Sequence, residues 1–199
     1  MAAPVTIASQ PVYGLTRPKT PGGGIVLLEQ YTAAGSASLD FTTCISSTYD
    51  EYLFEFVNVI LVTDARYLLM QMGTGGGPTY DTGANYGWTE FLHRAGTSAV
   101  LGQESGNTSI QIGGLNVGIS NNAVYGLCGS VRLFSPQSAT LYKLIVGQVR
   151  WVYAAGASHC ISSIGGEYLS ATALTAVRFL SSSGNIASGT IRVYGLAKS

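Results

Sequence analysis

The sequence predicts an all-β fold, namely an antiparallel β-sandwich or jelly-roll-like domain that follows an extended N-terminal arm. Short runs of β-branched and aromatic residues recur between clusters of Gly, Ser, Asn and Asp. No segment of helical length places apolar residues at a 3.6-residue period. About ten such runs without helices between them are typical of antiparallel sheets packed face to face. We therefore divide the 199 residues into an arm, 1–24, and a β-sandwich domain, 25–199.

The arm differs in composition from the rest of the chain. Four of the six prolines fall in it, and it ends in three glycines. Proline at this density favours extended backbone, and the glycines supply a flexible joint. The arm is nevertheless too apolar for a solvated linker, so we expect it to lie along a partner subunit; the alternative is a frayed terminus without a role. The residues expected to contact the partner are Val5, Ile7, Val12, Tyr13 and Leu15.

Ten segments of the domain have the composition and the flanking turn residues of strands. They are 25–32, 37–43, 51–62, 66–72, 86–93, 108–113, 123–134, 139–153, 172–180 and 186–196. One further segment, 169–175, is compatible with a helical turn. A parallel β-helix is disfavoured because the chain has no repeat of fixed period.

The aromatic strand 52–61 is apolar on both sides. Strict alternation places Tyr52, Phe54, Phe56 and Ile60 on one face and Leu53, Val57, Val59 and Leu61 on the other. A strand of this kind is expected to be covered on both faces. Glu55 is a polar exception, and if it is buried it should have a partner such as an arginine.

The charge content predicts a protein that buries surface against other subunits. Only 10% of the residues are charged, whereas about 25% is usual for a globular domain. The formal net charge is zero and the basic residues are scattered, which argues against nucleic-acid binding. No run of about 18 apolar residues predicts a membrane span.

The sequence shows no pattern of a catalytic, metal or cofactor site. His159 and Cys160 are neighbours in the sequence, and on a strand neighbouring side chains point to opposite faces, so they could not form a nucleophile–base pair there. The spacing of cysteines and histidines does not match a zinc site, and the three cysteines are expected to be buried free thiols. We therefore expect a protein that is not an enzyme and that needs no cofactor.

A loop around residues 78–91 combines aromatic and acidic residues in the way that a sugar-binding surface does. Aromatic faces stack on sugar rings, while carboxylates direct hydrogen bonds to the hydroxyl groups. The candidate glycan-binding residues are Tyr80, Asp81, Tyr86 and Trp88. The alternative is that Tyr86 and Trp88 lie on one side of a strand and fill the core or an interface.

Three stretches carry a resemblance to a known class of proteins. They are LLEQYTAAGSASLDFTTCISSTYDEYLFEFVNV (27–59), TGGGPTYDTGANYGW (74–88) and SGNIASGTIRVYGLA (183–197). These stretches resemble a β-rich domain of tailed-bacteriophage virion proteins, found in tail fibres, head fibres or spikes, and capsid-decoration proteins. The resemblance covers nearly all of 27–197 and contains no catalytic signature.

The resemblance implies a role in a virion. It implies a symmetric homo-oligomer, with a trimer expected, that is bound to capsid or tail neighbours and attached by its N-terminal segment. The leading hypothesis is therefore a non-enzymatic structural protein of a phage particle, assembled in the host bacterial cytoplasm. The alternative hypothesis is a receptor-binding module that recognises a host cell-surface glycan through the aromatic and acidic loop.

Overall fold

The structure is a computed structural model that describes residues 24–155 and 158–196. The described residues form thirteen strands and no helix, so the all-β prediction is confirmed, and they contain no helix that is long and apolar enough to cross a membrane. The strands are β1 (Ile25–Thr32), β2 (Ser38–Phe41), β3 (Glu51–Leu61), β4 (Leu68–Thr74), β5 (Thr79–Tyr80), β6 (Tyr86–Arg94), β7 (Val100–Asn107), β8 (Ile110–Gln111), β9 (Leu127–Phe134), β10 (Lys143–Val152), β11 (His159–Tyr168), β12 (Ala176–Ser181) and β13 (Ile186–Leu196).

The strands form two antiparallel sheets that pack as a sandwich. The larger sheet has eight strands in the order β1-β13-β3-β9-β10-β11-β6-β7. The smaller sheet has five strands, in the order β2-β12-β4-β5, with β8 paired to β4. Each sheet turns one apolar face towards the other, which is how two amphipathic sheets remove their apolar sides from water.

Aromatic side chains from both sheets meet at the centre of the sandwich. Phe179 on β12 lies edge-to-face against Phe54 and Phe56 on β3, with ring centroids 5.3 Å apart in both pairs. It also meets Phe41 on β2 at 6.1 Å. All four side chains are buried, so this cluster joins the two sheets through the T-shaped contacts that aromatic rings prefer.

A β-bulge changes the facing of β3 from the one that strict alternation predicts. Asn58 has a positive φ of 51°, and the register to β9 shifts between Phe56 and Val59. As a result, Val59 and Leu61 are each 1% exposed and belong to the core, so their predicted place on the opposite face from Phe56 is wrong. The neighbouring strand accommodates the bulge with Gly189, where a Cβ would lie 2.4 Å from the Asn58 carbonyl oxygen.

The positions of most predicted strands are confirmed, but two strands of the larger sheet were missed. These are β7 and β11, which has Gly165 and Gly166 at its centre. The segment 108–113 forms only the short strand Ile110–Gln111, and residues 169–175 are irregular rather than helical. Of the predicted arm, the structure describes only Gly24, so Val5, Ile7, Val12, Tyr13 and Leu15 lie outside the described residues.

Candidate assembly surface

The register of the eight-stranded sheet aligns its outward-facing side chains in rows. One row runs from Ile25 on β1 across the sheet to Leu144 on β10, Glu167 on β11, Gly87 on β6 and Ser105 on β7. On each strand the next outward-facing residue is two positions along the chain, because side chains alternate between the two faces. The start of β1 and the outer surface of β10, β11, β6 and β7 therefore belong to the same face.

Two adjoining depressions lie on this face over β10, β11, β6 and β7. Their volumes are about 440 and 800 Å³, and they share Thr89, Gln103 and Gly165. The floor between β10 and β7 consists of small side chains, whereas the sides are apolar. We call this surface the trough: its banks are Leu144 and Val146 on one side and Phe91 and Leu101 on the other, and its floor is Gly87, Thr89, Ser163 and Gly165.

The banks of the trough are unusually exposed for large apolar side chains. Leu101 is 77% exposed, Val146 57%, Leu144 53% and Phe91 48%. Exposed apolar residues that occur singly are ordinary in soluble proteins, but a contiguous apolar surface marks an interaction site. No element within 24–155 or 158–196 covers this one.

Two ion pairs lie on the same face away from the trough. Glu51 contacts Arg132 at 3.5 Å, and Glu55 accepts hydrogen bonds from Arg192 at 3.1 Å and from Tyr194 at 3.2 Å. Glu55 therefore has an arginine partner, but its side chain is 41% exposed, so the burial under which a partner was expected is not met. Exposed pairs of this kind contribute little stability, and they leave the face close to neutral.

Glu167 lies at the upper end of the trough, which is the end nearest the start of β1. It is half-buried, and no hydrogen-bond or ion-pair partner for it is found within the described residues. Its carboxylate lies over Gly87, where a Cβ would come within 2.7 Å of Glu167 Oε1. Because no lysine or arginine lines either depression, the trough presents an unpaired negative charge.

The candidate glycan-binding residues do not form one open platform. Tyr86 is fully buried and Trp88 is 7% exposed, so neither ring offers a free face for a sugar. Tyr80 lies on the outer side of the smaller sheet beneath Arg178, whose guanidinium carbon is 3.8 Å from the ring centroid. The geometry therefore gives no support for stacking a sugar at these positions.

Asp81, the acidic member of that group, organises the loop before β6. Its carboxylate accepts hydrogen bonds from Gly83 N at 2.7 Å, Asn85 Nδ2 at 2.8 Å and Tyr168 Oη at 2.8 Å. Burial alone would raise the pKa of Asp81, but these three hydrogen bonds together lower it below its usual value. With its oxygens occupied in this way, the carboxylate holds the loop in place.

Among the described residues, two of the charged types are buried, Glu90 and Lys143. Glu90 is 1% exposed, and its two oxygens accept hydrogen bonds from Ser162 Oγ at 2.6 Å and Gln111 Nε2 at 3.2 Å. Burial raises the pKa of Glu90, against smaller opposing effects of these hydrogen bonds. Lys143 is fully buried and donates to the carbonyl oxygens of Ser138 and Leu141, both at 2.7 Å, which fixes the turn before β10.

The histidines and cysteines do not converge on a site in the described ranges. His159 is exposed on the outer face, where its Nδ1 lies 2.8 Å from Arg150, whereas Cys160 is buried on the inner face. The three cysteines form no disulfide, and Cys128 is half-buried rather than buried as expected. No cluster of three or more potential metal ligands occurs among the residues that the structure describes.

Sequence reasoning missed the trough because half of its floor comes from strands that it did not identify. Ser163 and Gly165 lie in β11, and the bank residue Leu101 lies in β7. The sequence signal that could have identified β11 is the two-residue spacing of Cys160, Ser162 and Ile164, which are all buried on one face of this strand.

Comparisons were made with protein-family models, with curated proteins and with solved structures, and none of the three found a match for this chain.

Proposed function

We propose that the chain is a non-enzymatic structural subunit of a tailed-bacteriophage particle. It would form a homo-oligomer through the outer face of its eight-stranded sheet and attach to neighbouring capsid or tail subunits, with the N-terminal segment as an anchor. The observation that carries the proposal is the trough, whose four apolar bank residues are each about half or more exposed. The resemblance of the three sequence stretches to virion proteins supplies the biological setting, and a trimer remains the expected state.

The dimensions of the outer face suit a stable interface. Eight strands spaced about 4.8 Å apart span about 34 Å, and strands of about eight residues are about 27 Å long, which gives a face of about 900 Å². A standard protein interface buries about 800 Å² on each partner. Because the face is apolar over the trough and Glu51 and Glu55 are paired with arginines, another copy can cover it without leaving these carboxylates unpaired.

Charged substitutions on the banks of the trough should dissociate the oligomer. In the variant Leu101→Lys/Val146→Lys, two like charges would have to be buried in the interface, so we expect the dissociation constant to rise by roughly 100-fold or more. Size-exclusion chromatography with light scattering over a range of concentrations measures this change directly.

A matched control separates this effect from a general effect of added charge. Val124 is 75% exposed in the loop before β9, and Val124→Lys should leave the oligomeric mass unchanged. Circular dichroism establishes that all variants are folded. An oligomer of unchanged mass in the folded double variant would show that the trough is not the interface.

A further inference from the structure

We infer that copies of the chain pack with opposite ends of their outer faces together, so that Glu167 of one copy pairs with Arg150 of the next. The inference rests on the proposed assembly through the outer face, and it adds the orientation of the partner and the charge pair that selects this orientation. The observations that carry it are two charges without ion-pair partners, their separation along the sheet, and the shape of the surface around Glu167.

Two charges of opposite sign stand on the outer face without an ion-pair partner among the described residues. One is Glu167, and the other is Arg150, which is exposed and belongs to none of the salt bridges found there. Arg150 Nη2 donates to His159 Nδ1 at 2.8 Å, so the imidazole orients the guanidinium without neutralising it. All ten acidic residues of the chain lie within the described ranges, so none of the remaining residues can supply a carboxylate side chain to Arg150.

The two charges lie near opposite ends of the face. Glu167 is opposite Leu144 in the register, close to the start of β10, and Arg150 lies six residues further along the same strand. At about 3.4 Å per residue the two positions are about 20 Å apart along the strands. Arg150 therefore cannot reach Glu167 in its own copy, and a pair between the two can form only between copies. We call the end that carries Arg150 the lower end of the face.

The charges distinguish between two ways of packing the faces together. Where like ends meet, Glu167 of one copy faces Glu167 of the next, and the burial of two like charges opposes association. Where opposite ends meet, Glu167 faces Arg150 of the next copy. In a twofold contact of this kind centred on β10 and β11, the two side chains are offset by one strand, about 4.8 Å, which a long arginine side chain can span.

The same choice applies to the trimer that the proposed function expects. In a ring of three whose strands run across the threefold axis, the upper end of each copy meets the lower end of the next. In a ring whose strands run along the axis, three copies of Glu167 come together. The pair between Glu167 and Arg150 therefore selects the first of these rings over the second.

The upper depression has the shape to receive an arginine side chain from another copy. Its volume is about 440 Å³, and Gly87 and Gly165 in its floor carry no side chain. Leu144 forms its apolar wall, on which the aliphatic stem of Arg150 can pack while the guanidinium reaches the carboxylate of Glu167. Because no lysine or arginine of the same copy lines the depression, the incoming guanidinium meets no like charge there.

Charge reversal tests the pair through the dissociation constant of the assembly. Glu167→Arg and Arg150→Glu each place like charges opposite one another, so each should raise the dissociation constant by roughly tenfold or more. The doubly reversed variant Glu167→Arg/Arg150→Glu should return it to within about threefold of the wild-type value, because the pair is restored with its signs exchanged. Arg66→Glu alters the net charge as much as Arg150→Glu does, in the exposed loop before β4 of the smaller sheet, and should leave the constant unchanged.

Cysteine cross-linking tests the orientation directly. Stacked sheets lie about 10 Å apart, so a thiol cross-linker of about this length should join equimolar Glu167→Cys and Arg150→Cys chains, with the linked peptides identified by mass spectrometry. Neither chain alone should be joined to itself, because like positions do not meet. Both chains carry Cys128→Ser, since Cys128 lies beside Arg150 in the register.

The outcomes separate this inference from the proposed function. If the wild type assembles and both single reversals bind as tightly as it does, the pair is overturned while assembly through the outer face stands. A cross-link formed by Glu167→Cys chains alone would show that like ends meet and would also overturn the inference. A wild type that stays monomeric contradicts the proposed assembly and the inference with it. Circular dichroism establishes folding, and where a reversal fails to fold, Glu167→Gln and Arg150→Gln should still weaken association, by a smaller factor.

Discussion

Replacement of Phe179 by alanine is expected to lower the free energy of unfolding by about 3–5 kcal/mol. The ring is fully buried, and it touches Phe41 on β2 as well as Phe54 and Phe56 on β3. Truncation would leave a cavity between the two sheets and remove three edge-to-face contacts, so the loss should exceed that of an ordinary buried methyl group. Urea unfolding followed by tryptophan fluorescence measures this loss in the free energy of unfolding.

The control for this prediction is an aromatic residue outside the core. Tyr142 is 56% exposed before β10, and Tyr142→Ala should change the unfolding free energy by no more than about 0.5 kcal/mol. Where Phe179→Ala fails to fold, Phe179→Leu should still fold with a smaller loss. A change below about 1 kcal/mol for Phe179→Ala would mean that the two sheets are not joined through this cluster.

Replacement of Glu90 by glutamine is expected to stabilise the protein at neutral and alkaline pH and to flatten its pH dependence. Glu90 is buried between Ser162 and Gln111, and burial raises the pKa of its carboxyl group. Cys160 on the neighbouring strand is an ionisable group that interacts electrostatically with Glu90, and no hydrogen bond joins the two. The folded state therefore favours the neutral acid, which glutamine resembles in shape.

The sign of the effect follows from proton linkage. A carboxyl whose pKa is higher in the folded state contributes stability that is fully present below its unfolded pKa, which is about 4.5, and is lost as pH rises through the folded value. The free energy of unfolding of the wild type should therefore fall as pH rises above about 4.5, while that of Glu90→Gln should not. At pH 4 the two proteins should agree within about 0.5 kcal/mol.

Urea midpoints measured from pH 4 to pH 8 test this difference. The matched control is Glu104→Gln on the exposed edge strand β7, which should follow the wild-type curve. Parallel curves for the wild type and Glu90→Gln over the whole range would show that Glu90 is equally ionised in the folded and unfolded states.

The sequence predicts strands well where residue type and alternation agree. β1 and β13 begin and end where their β-branched and aromatic residues predicted. β11 was not predicted because Ser162, Ser163, Gly165 and Gly166 have low strand propensity. Its pairing with a long strand on each side compensates for this low propensity. The facing of β3 could not be read from alternation since the bulge at Asn58 depends on its neighbours in the sheet.

The sequence indicated that the protein has an apolar surface, but it did not indicate which residues form that surface. Low charge led to the expectation of a surface buried against other subunits, which stays a prediction; the larger sheet does expose large apolar side chains on its outer face. The residues that form it are distant in sequence, such as Phe91, Leu101 and Val146, and the sheet order alone brings them together. Tyr86 and Trp88 were indistinguishable by sequence from surface aromatics, because strand facing decides their burial.

The mass of the full chain in solution tests the central claim most directly. Light scattering or native mass spectrometry at micromolar concentration should give a multiple of the 20.7 kDa of one chain, with three copies expected. Burial of the trough between copies would supply the free energy, at about 25 cal/mol for each Å² of apolar area. A mass of one chain at every concentration up to about 100 µM, which corresponds to about 5.5 kcal/mol of binding free energy, would contradict assembly through this face.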